Sequence, residues 1–280
     1  MSMTSSTVPT VTLSDGEQIP QLGFGVFQVP PERTADIATR ALLAGYRHID
    51  TAAAYGNEAG VGQAVHAAGL QRDDVYITTK VFNDDHGFEQ TKRALHASLK
   101  QLEMEHVDLY LIHWPVPSTD KYVETWQALI ELQRDGLTRS IGVSNFQAEH
   151  LERIIAETGV APVVNQVELH PYFQQVGLRR EHADLGIVTE AWSPLAQGKV
   201  LDDPALIAIA EAHGVTTGQV TIRWHLQLGN VVIPKSATQE RIEQNLDVFG
   251  FTLSAAEMGV IAELDAGDRT GPDPDTFTRP

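Results

Sequence analysis

Four residues of this 280-residue chain combine into one chemistry: Asp50 and Tyr55 in HIDTAAAYGNE (48–58), Lys80 closing VYITTK (75–80) and His113 closing VDLYLIH (107–113). A phenol has a pKa of about 10 and is a poor proton donor at neutral pH unless a nearby cation stabilises its anion. Lys80 is the residue type to supply that cation, Asp50 the type to hold it, and His113 the type to hydrogen-bond a substrate oxygen. Such a set suits protonation of the alkoxide that develops when hydride attacks a carbonyl. Taken singly, each has a plainer reading: Asp50 as a helix cap, Tyr55 as rim packing, Lys80 as a solvated cation. What joins them is position, because Asp50, Lys80 and His113 close three successive strand-like runs and Tyr55 follows five residues after Asp50.

A hydride carrier needs its own site, and the two common phosphate loops are missing. LGFGVFQ and GVGQAV lack the third glycine of a Rossmann fingerprint, and there is no P-loop. Instead, VVIPKSATQERIEQN (231–245) closes the last apolar run. Ser236 to Gln239 matches a capping box, so a helix N-terminus, Lys235 and Arg241 could converge on an anionic group, the plainer reading being an ordinary capped helix with two solvated cations. Ser144, Asn145 and Gln166, in SNF and NQVELHP, have the amide and hydroxyl groups to bind a carboxamide, and Trp192 in EAWSPLAQGK offers a flat face to an aromatic ring. Gln166, Glu168 and His170 share strand parity and should point the same way, with Glu168 and His170 fixing loops or neighbouring strands.

The elements that must position these groups are legible as alternation. Eight β-branched runs of strand length, at 22–25, 46–52, 75–80, 107–113, 140–146, 163–170, 186–195 and 231–236, are separated by segments with apolar spacing of three and four residues. Such runs between helices predict a parallel sheet buried on both faces, and eight units predict a closed (β/α)8 TIM barrel with chemistry at the C-terminal strand ends. TVTLSDGEQIP reads as an added hairpin turning on Asp15-Gly16 and plugging one barrel end. The region 200–230 holds two helical patterns before the last run. The tail AGDRTGPDPDTFTRP reads as a surface loop. With no repeat or linker, residues 1–280 are expected to form one domain.

Composition narrows the function. Twenty basic against 37 acidic residues leave a formal net charge of −17, which disfavours nucleic acid and anionic membranes as partners. There is no cysteine, so thiol chemistry and thiolate metal sites are excluded and a reducing cytoplasm suits the chain. The first twelve residues lack the charged start and apolar core of a leader, and no apolar run approaches the roughly 18 residues of a membrane span. Nothing marks an oligomer interface, so a monomer is expected.

The motifs HIDTAAAYGNE, ITTKV, LIHWP, GVSNF, NQVELHPY and IPKSATQERIEQN, in this order and spacing along almost the whole chain, resemble those of the aldo-keto reductases. EAWSPLAQG and PDPDTF resemble the prokaryotic branch that includes 2,5-diketo-D-gluconate reductases. The resemblance implies an NADPH-dependent (β/α)8 barrel that reduces aldehydes, α-dicarbonyls or keto sugars, with Asp50, Tyr55, Lys80 and His113 as catalytic tetrad and Tyr55 the acid. It implies Ser144, Asn145 and Gln166 at the nicotinamide carboxamide, Trp192 on the ring, and Ser193, Leu195 and Gly198 along the pyrophosphate. It further implies Lys235, Ser236 and Arg241 around the 2′-phosphate, and Asn245 at the adenine. Gln244 and Ala59 stand where the family often has Glu. Phe24, Phe27, Phe82 and Trp114, near strand ends, are expected to line an apolar substrate pocket, with core or rim packing the plainer reading of each, and the loops after Trp114, around 198–203 and at Phe277 to set specificity. No metal is needed. A metal-dependent hydrolase would want an early HxH pair that the chain lacks; a Schiff-base aldolase would need an unpaired Lys80. An NADPH-binding regulatory protein on the same barrel is the remaining alternative.

Overall fold

A computed structural model describes residues 8–278; residues 1–7 of the segment read as lacking a leader, and residues 279 and 280 of the tail, lie outside the described residues. Strands β1 (Thr10–Thr12) and β2 (Gln18–Pro20) form the antiparallel hairpin. The eight expected runs become β3 (Phe24–Gly25), β4 (His48–Asp50), β5 (Tyr76–Val81), β6 (Val107–Ile112), β7 (Thr138–Ser144), β8 (Val164–Glu168), β9 (Val188–Trp192) and β10 (Val231–Val232). They pair in parallel in chain order. The barrel closes where Val232 N–H donates to Gln21 O and Gly23 N–H donates to Val232 O.

Helices α1 (Pro31–Ala44), α2 (Glu58–Ala67), α3 (Phe88–Leu102), α4 (Tyr122–Arg134), α5 (Ala148–Thr158) and α6 (Val176–Leu185) follow the first six barrel strands. The crossover from β9 to β10 carries both α7 (Pro204–His213) and α8 (Thr217–Gln227). After β10 come α9 (Gln239–Leu246) and α10 (Ala255–Ala262). The two helical patterns in 200–230 are therefore both helices of one long crossover.

Strand parity sorts the side chains into two cores. Outward residues such as Ile49, Ile77, Tyr110, Ile112, Val143 and Ala191 join Leu42, Leu99 and Trp126 of the helices in one apolar shell. Inward, Tyr76, Leu109, Leu111, Val164 and Val231 form a separate cluster with Leu13 and Ile19 of the hairpin. The hairpin thus closes the N-terminal end as expected, and Ser140 Oγ donates to Asp15 Oδ2 at 2.7 Å. Its turn differs from the two-residue form. Leu13 N–H donates to Glu17 O and Gly16 N–H to Leu13 O, so 14–16 make a three-residue loop with Gly16 at φ 94°, a backbone that favours glycine.

Parity also corrects one expectation. On β3 the glycines face inward, so Phe24 faces outward, buried against Tyr46 with ring centroids 5.4 Å apart. It belongs to the outer apolar shell and faces away from the barrel interior. Gly23 is needed where it is, because a Cβ there would stand 2.5 Å from His48 Nδ1 in the barrel interior. Gly23→Ala is expected to destabilise the fold by about 1–3 kcal/mol through overpacking beneath the strand ends, read as a lowered urea midpoint at unchanged m-value.

Candidate active site

At the C-terminal mouth the same parity turns Asp50, Lys80 and His113 inward on three neighbouring strands. Asp50 ends β4, Lys80 stands one residue before the end of β5, and His113 follows β6 with its N–H donated to Val81 O. Lys80 is fully buried. Its Nζ donates to both Asp50 carboxylate oxygens at 2.7 Å and to Thr51 O at 2.8 Å, so all three ammonium hydrogens are used. Tyr55 ends a 3-10 turn (Ala53–Tyr55) released by Gly56 in the left-handed region. That turn carries its ring over the pair, 5.4 Å from Lys80 Nζ to the centroid, with the His113 ring 5.6 Å away, edge to face. The structure brings the four together.

The electrostatics refine the expectation for each. Burial and the Lys80 charge push His113 well below the usual imidazole range, so it is neutral. Tyr55 is raised well above an ordinary phenol, by burial first and then by Asp50 and Glu190. Lys80 was expected to acidify it. In this state the Lys80 charge is offset by Asp50 at hydrogen-bond distance, and the phenol keeps its proton.

The proposed nicotinamide ligands form one network with this group. Gln166 Nε2 donates to Asp50 Oδ2 at 2.8 Å and to Glu190 Oε2 at 2.9 Å, which commits both amide hydrogens. Its carbonyl is the part left for a ligand N–H. Ser144 Oγ donates to Gln166 O at 2.8 Å. Asn145, at φ 63°, donates to His113 O and Ser144 Oγ and accepts from Trp192 Nε1 at 2.9 Å, leaving one carbonyl lone pair.

Beyond Trp192 the chain turns repeatedly through positive φ, at Ser193 (47°), Ala196 (48°), Gln197 (56°) and Gly198 (95°). These turns are closed from within, Ala196 N–H donating to Ser193 O at 2.9 Å and Gly198 N–H to Leu195 O at 2.7 Å. Leu195 packs against the shell and anchors this segment. The capping box expected at Ser236 does not form: α9 starts at Gln239, behind Thr238, and has no side-chain cap bond. Ser236 is instead buried, 5% exposed, with its hydroxyl unpartnered among the described residues, between exposed Lys235 and exposed Ala237. Neither Lys235 nor Arg241, exposed on α9, belongs to an ion pair among the described residues. Asn245 lies buried further along α9, and Gln244 donates to Glu240 on the same helix.

Three aromatic residues surround the Tyr55 and His113 rings. Phe27, 55% exposed, lies 5.0 Å from Tyr55; Phe82 meets His113 edge-on at 5.6 Å; and Trp114 stacks beside His113. The tail supplies a fourth, since Phe277 lies 4.3 Å from Trp114. The tail is more than a surface loop. Thr270 donates through N–H (2.6 Å) and Oγ1, and Gly271 through N–H (2.9 Å), to buried Glu168, which also meets His170 Nε2 at 3.0 Å. Glu168 and His170 fix a loop, as their parity implied. At Gly271 a Cβ would stand 2.4 Å from the Trp192 ring, so only glycine lets the tail cross there.

Sequence reasoning passed over Glu190. It sits in EAW, two residues before Trp192 and on the same strand face, and the signal was a carboxylate inside an apolar strand. Burial and Asp50 push it up to about 8.

This barrel and this mouth place the chain among known enzymes. The model of the Aldo/keto reductase family matches residues 21–266, and the chain belongs to that family. It is 55% identical over 269 residues to an aldo-keto reductase of Mycolicibacterium smegmatis, covering 96% of this chain and 98% of the relative. It is 53% identical over 272 residues to the methylglyoxal reductase DkgA of Escherichia coli K12, again covering 96% and 98%. Among solved structures, Gox0644 as a D53A mutant in complex with NADPH superposes with a TM-score of 0.95 at 48% identity, over 98% of this chain and all of that one. A Bombyx mori aldo-keto reductase in complex with NADP gives 0.89 at 35%, over 96% and 97%.

The buried ion pair makes a stability prediction. Removing one partner strands the other's charge, so Asp50→Ala should cost about 3–5 kcal/mol, whereas Asp50→Ala with Lys80→Met should recover a large part of it. Urea unfolding of the two variants and wild type measures the difference.

Proposed function

We infer that this protein is an NADPH-dependent reductase of aldehydes and small α-dicarbonyls, with keto sugars a further substrate class, and that Tyr55 is its general acid. The observation that carries this is Tyr55 held protonated beside neutral His113 and above the Lys80–Asp50 pair, at the mouth of a barrel of this family. When bound, NADPH supplies the hydride that adds to the carbonyl carbon.

The chain's own residues do the rest. His113, neutral, donates one ring N–H to the substrate oxygen and helps hold it within reach of the Tyr55 hydroxyl. Tyr55 gives its proton to the oxygen as negative charge develops there. Lys80 steadies the phenolate that remains, because the ammonium is fixed by Asp50 and need not reorganise. Phe27, Phe82, Trp114 and Phe277 exclude water and favour a small carbonyl compound with little polar surface beyond the reacting group. The relative called methylglyoxal reductase supports α-dicarbonyls as the first class to assay.

The residues also suit the dinucleotide. The buried Ser236 hydroxyl between surface positions, without a partner among the described residues, and Lys235 and Arg241, without an ion pair among them in a chain of net charge −17, fit a 2′-phosphate. Ser193, Leu195 and Gly198 are assigned to the pyrophosphate on the resemblance to the family's motif, with Leu195 packed on the apolar shell as the anchor of that segment. Ser144, Asn145 and the Gln166 carbonyl hold the carboxamide, Trp192 flanks the ring, and Asn245 meets the adenine.

Two measurements test this reading. Tyr55→Phe should lower kcat for methylglyoxal and an aryl aldehyde by about 100-fold or more with NADPH affinity kept, following NADPH absorbance; a wild type that binds NADPH tightly and reduces no carbonyl of a broad panel would put the regulatory alternative first. Lys235→Ala with Arg241→Ala should raise the Kd for NADPH by tenfold or more, about 1.5–3 kcal/mol for charge-assisted bonds, while NADH binding changes little. Equal losses for both dinucleotides would remove these two residues from the phosphate.

A further inference from the structure

Beneath the tetrad lies a carboxyl that the reaction above does not use. Glu190 is fully buried on β9, paired in register with Gln166 of β8 and Val231 of β10. Its Oε2 accepts from Gln166 Nε2, the same nitrogen that donates to Asp50. Its Oε1 has no hydrogen-bond partner among the described residues; the nearest cationic candidate, His48 Nε2, is 3.8 Å away and bonded to Thr78 Oγ1. Lys80 has no hydrogen left to offer it. A buried carboxylate oxygen with no donor is costly, and a neutral carboxylic acid is the cheaper state. The oxygen that accepts from Gln166 is then the carbonyl, and the unpartnered oxygen holds the proton.

We propose that Glu190 is a positioning residue of the reductase site: as a neutral acid it keeps Lys80 and Asp50 in charge balance and, with Asp50, holds the Gln166 amide with its carbonyl outward, and its ionisation slows carbonyl reduction. The proposal rests on the reductase reading above. Ionised, Glu190 would leave the floor of the site with one net negative charge below Tyr55, strengthening the hold on the proton that the acid must release. It would likewise oppose negative charge developing on the substrate oxygen.

The groups around Glu190 come from every neighbouring strand. β4 brings Asp50 and His48, β5 brings Lys80 and Tyr76, β8 brings Gln166, and β10 brings only Val231 and Val232 beside it. Tyr55 lies above. His48 is pushed down to about 3 and His113 well below its usual range, while Tyr55 and Tyr76 are pushed well up. Among these displaced groups, Glu190 alone changes charge near pH 8.

The sign for stability follows from the raised value. The folded state binds the Glu190 proton more tightly than the unfolded state does, so stability falls as pH climbs from the ordinary carboxylate range, about 4.3, to about 8, and the loss is complete above that. Glu190→Gln keeps the acceptor for Gln166 and removes the titration. The advantage of the variant in thermal midpoint should therefore grow between pH 5 and 8 and then level.

The experiment compares wild type and Glu190→Gln in two readouts, thermal unfolding from pH 5 to 9.5 and kcat/KM for NADPH-dependent methylglyoxal reduction from pH 6.5 to 9.5. The expected result is similar turnover at pH 6.5 and, at pH 9, a variant about tenfold above wild type, one unit beyond the Glu190 transition. Glu190→Met, neutral but without an acceptor, should share the flat alkaline limb and raise the KM for NADPH as Gln166 loses its brace. Parallel pH profiles and a constant difference in midpoint overturn the role of Glu190 while leaving a working reductase. Absence of turnover in wild type instead overturns the reductase reading, and this proposal with it. Should the variants fail to fold, a wild-type kcat/KM that stays level to pH 9.5 overturns the proposal by itself.

Discussion

The Lys80–Asp50 pair is the constraint around which the mouth of the barrel is arranged. An ammonium with no exposure to water has lost several kcal/mol of hydration, and only close anionic and carbonyl oxygens return it. Here the two Asp50 oxygens and the Thr51 carbonyl supply them. The consequence is geometric: β4 must end where Asp50 faces inward, and the next residue must turn its carbonyl back to the same nitrogen. The 3-10 turn that follows then has little freedom, and Tyr55 arrives over the pair. The charge of Lys80 is fixed but compensated, which keeps the phenol protonated until negative charge appears beside it.

A second consequence concerns what surrounds the pair. A buried barrel interior carrying the Lys80–Asp50 pair can hold further polar groups only as a connected set. Gln166 is the connector, since its nitrogen serves Asp50 and Glu190 together and its strand neighbour Ser144 donates to its backbone. Asn145 and Trp192 continue the set to the rim. The groups proposed to meet the cofactor are thus braced by the groups proposed to do the chemistry, and a change in one moves the other. The apolar layer of Leu109, Leu111, Val164 and Val231 beneath them, sealed by the hairpin, closes this set off from the N-terminal end. At the opposite end Glu168 fastens the tail, so a buried carboxylate also decides where Phe277 lies against Trp114.

Much of this was legible in the chain. Alternation of apolar runs and helical spacing specifies a (β/α)8 barrel because each helix must bury one face and each strand both, and the period of two within a strand states which residues share a face with Asp50, Lys80 and His113. Gln166, Glu168 and His170 were readable by the same parity. That rule, applied to LGFG, would also have turned Phe24 outward, since the inward positions are the glycines. Residue types at strand ends therefore state which chemistry is available, and strand parity states which residues face each other.

Other properties were decided by the tertiary structure, for the reason that they depend on distances between segments far apart in sequence. The neutrality of His113 and the raised phenol of Tyr55 come from burial and from the net charge of neighbours contributed by other strands. Glu190 acquires its raised proton affinity first from burial inside the closed barrel and then from Asp50 of β4, and its oxygen without a partner among the described residues is visible only once every donor near it is accounted for. The missing capping box at Ser236 has the same origin, since the hydroxyl is buried where the chain leaves β10 and cannot reach the helix that its spacing matched. Sequence determined the elements, their facing and the inventory of functional groups. The closing of the barrel determined which of those groups are charged, which are satisfied and which remain free for a ligand.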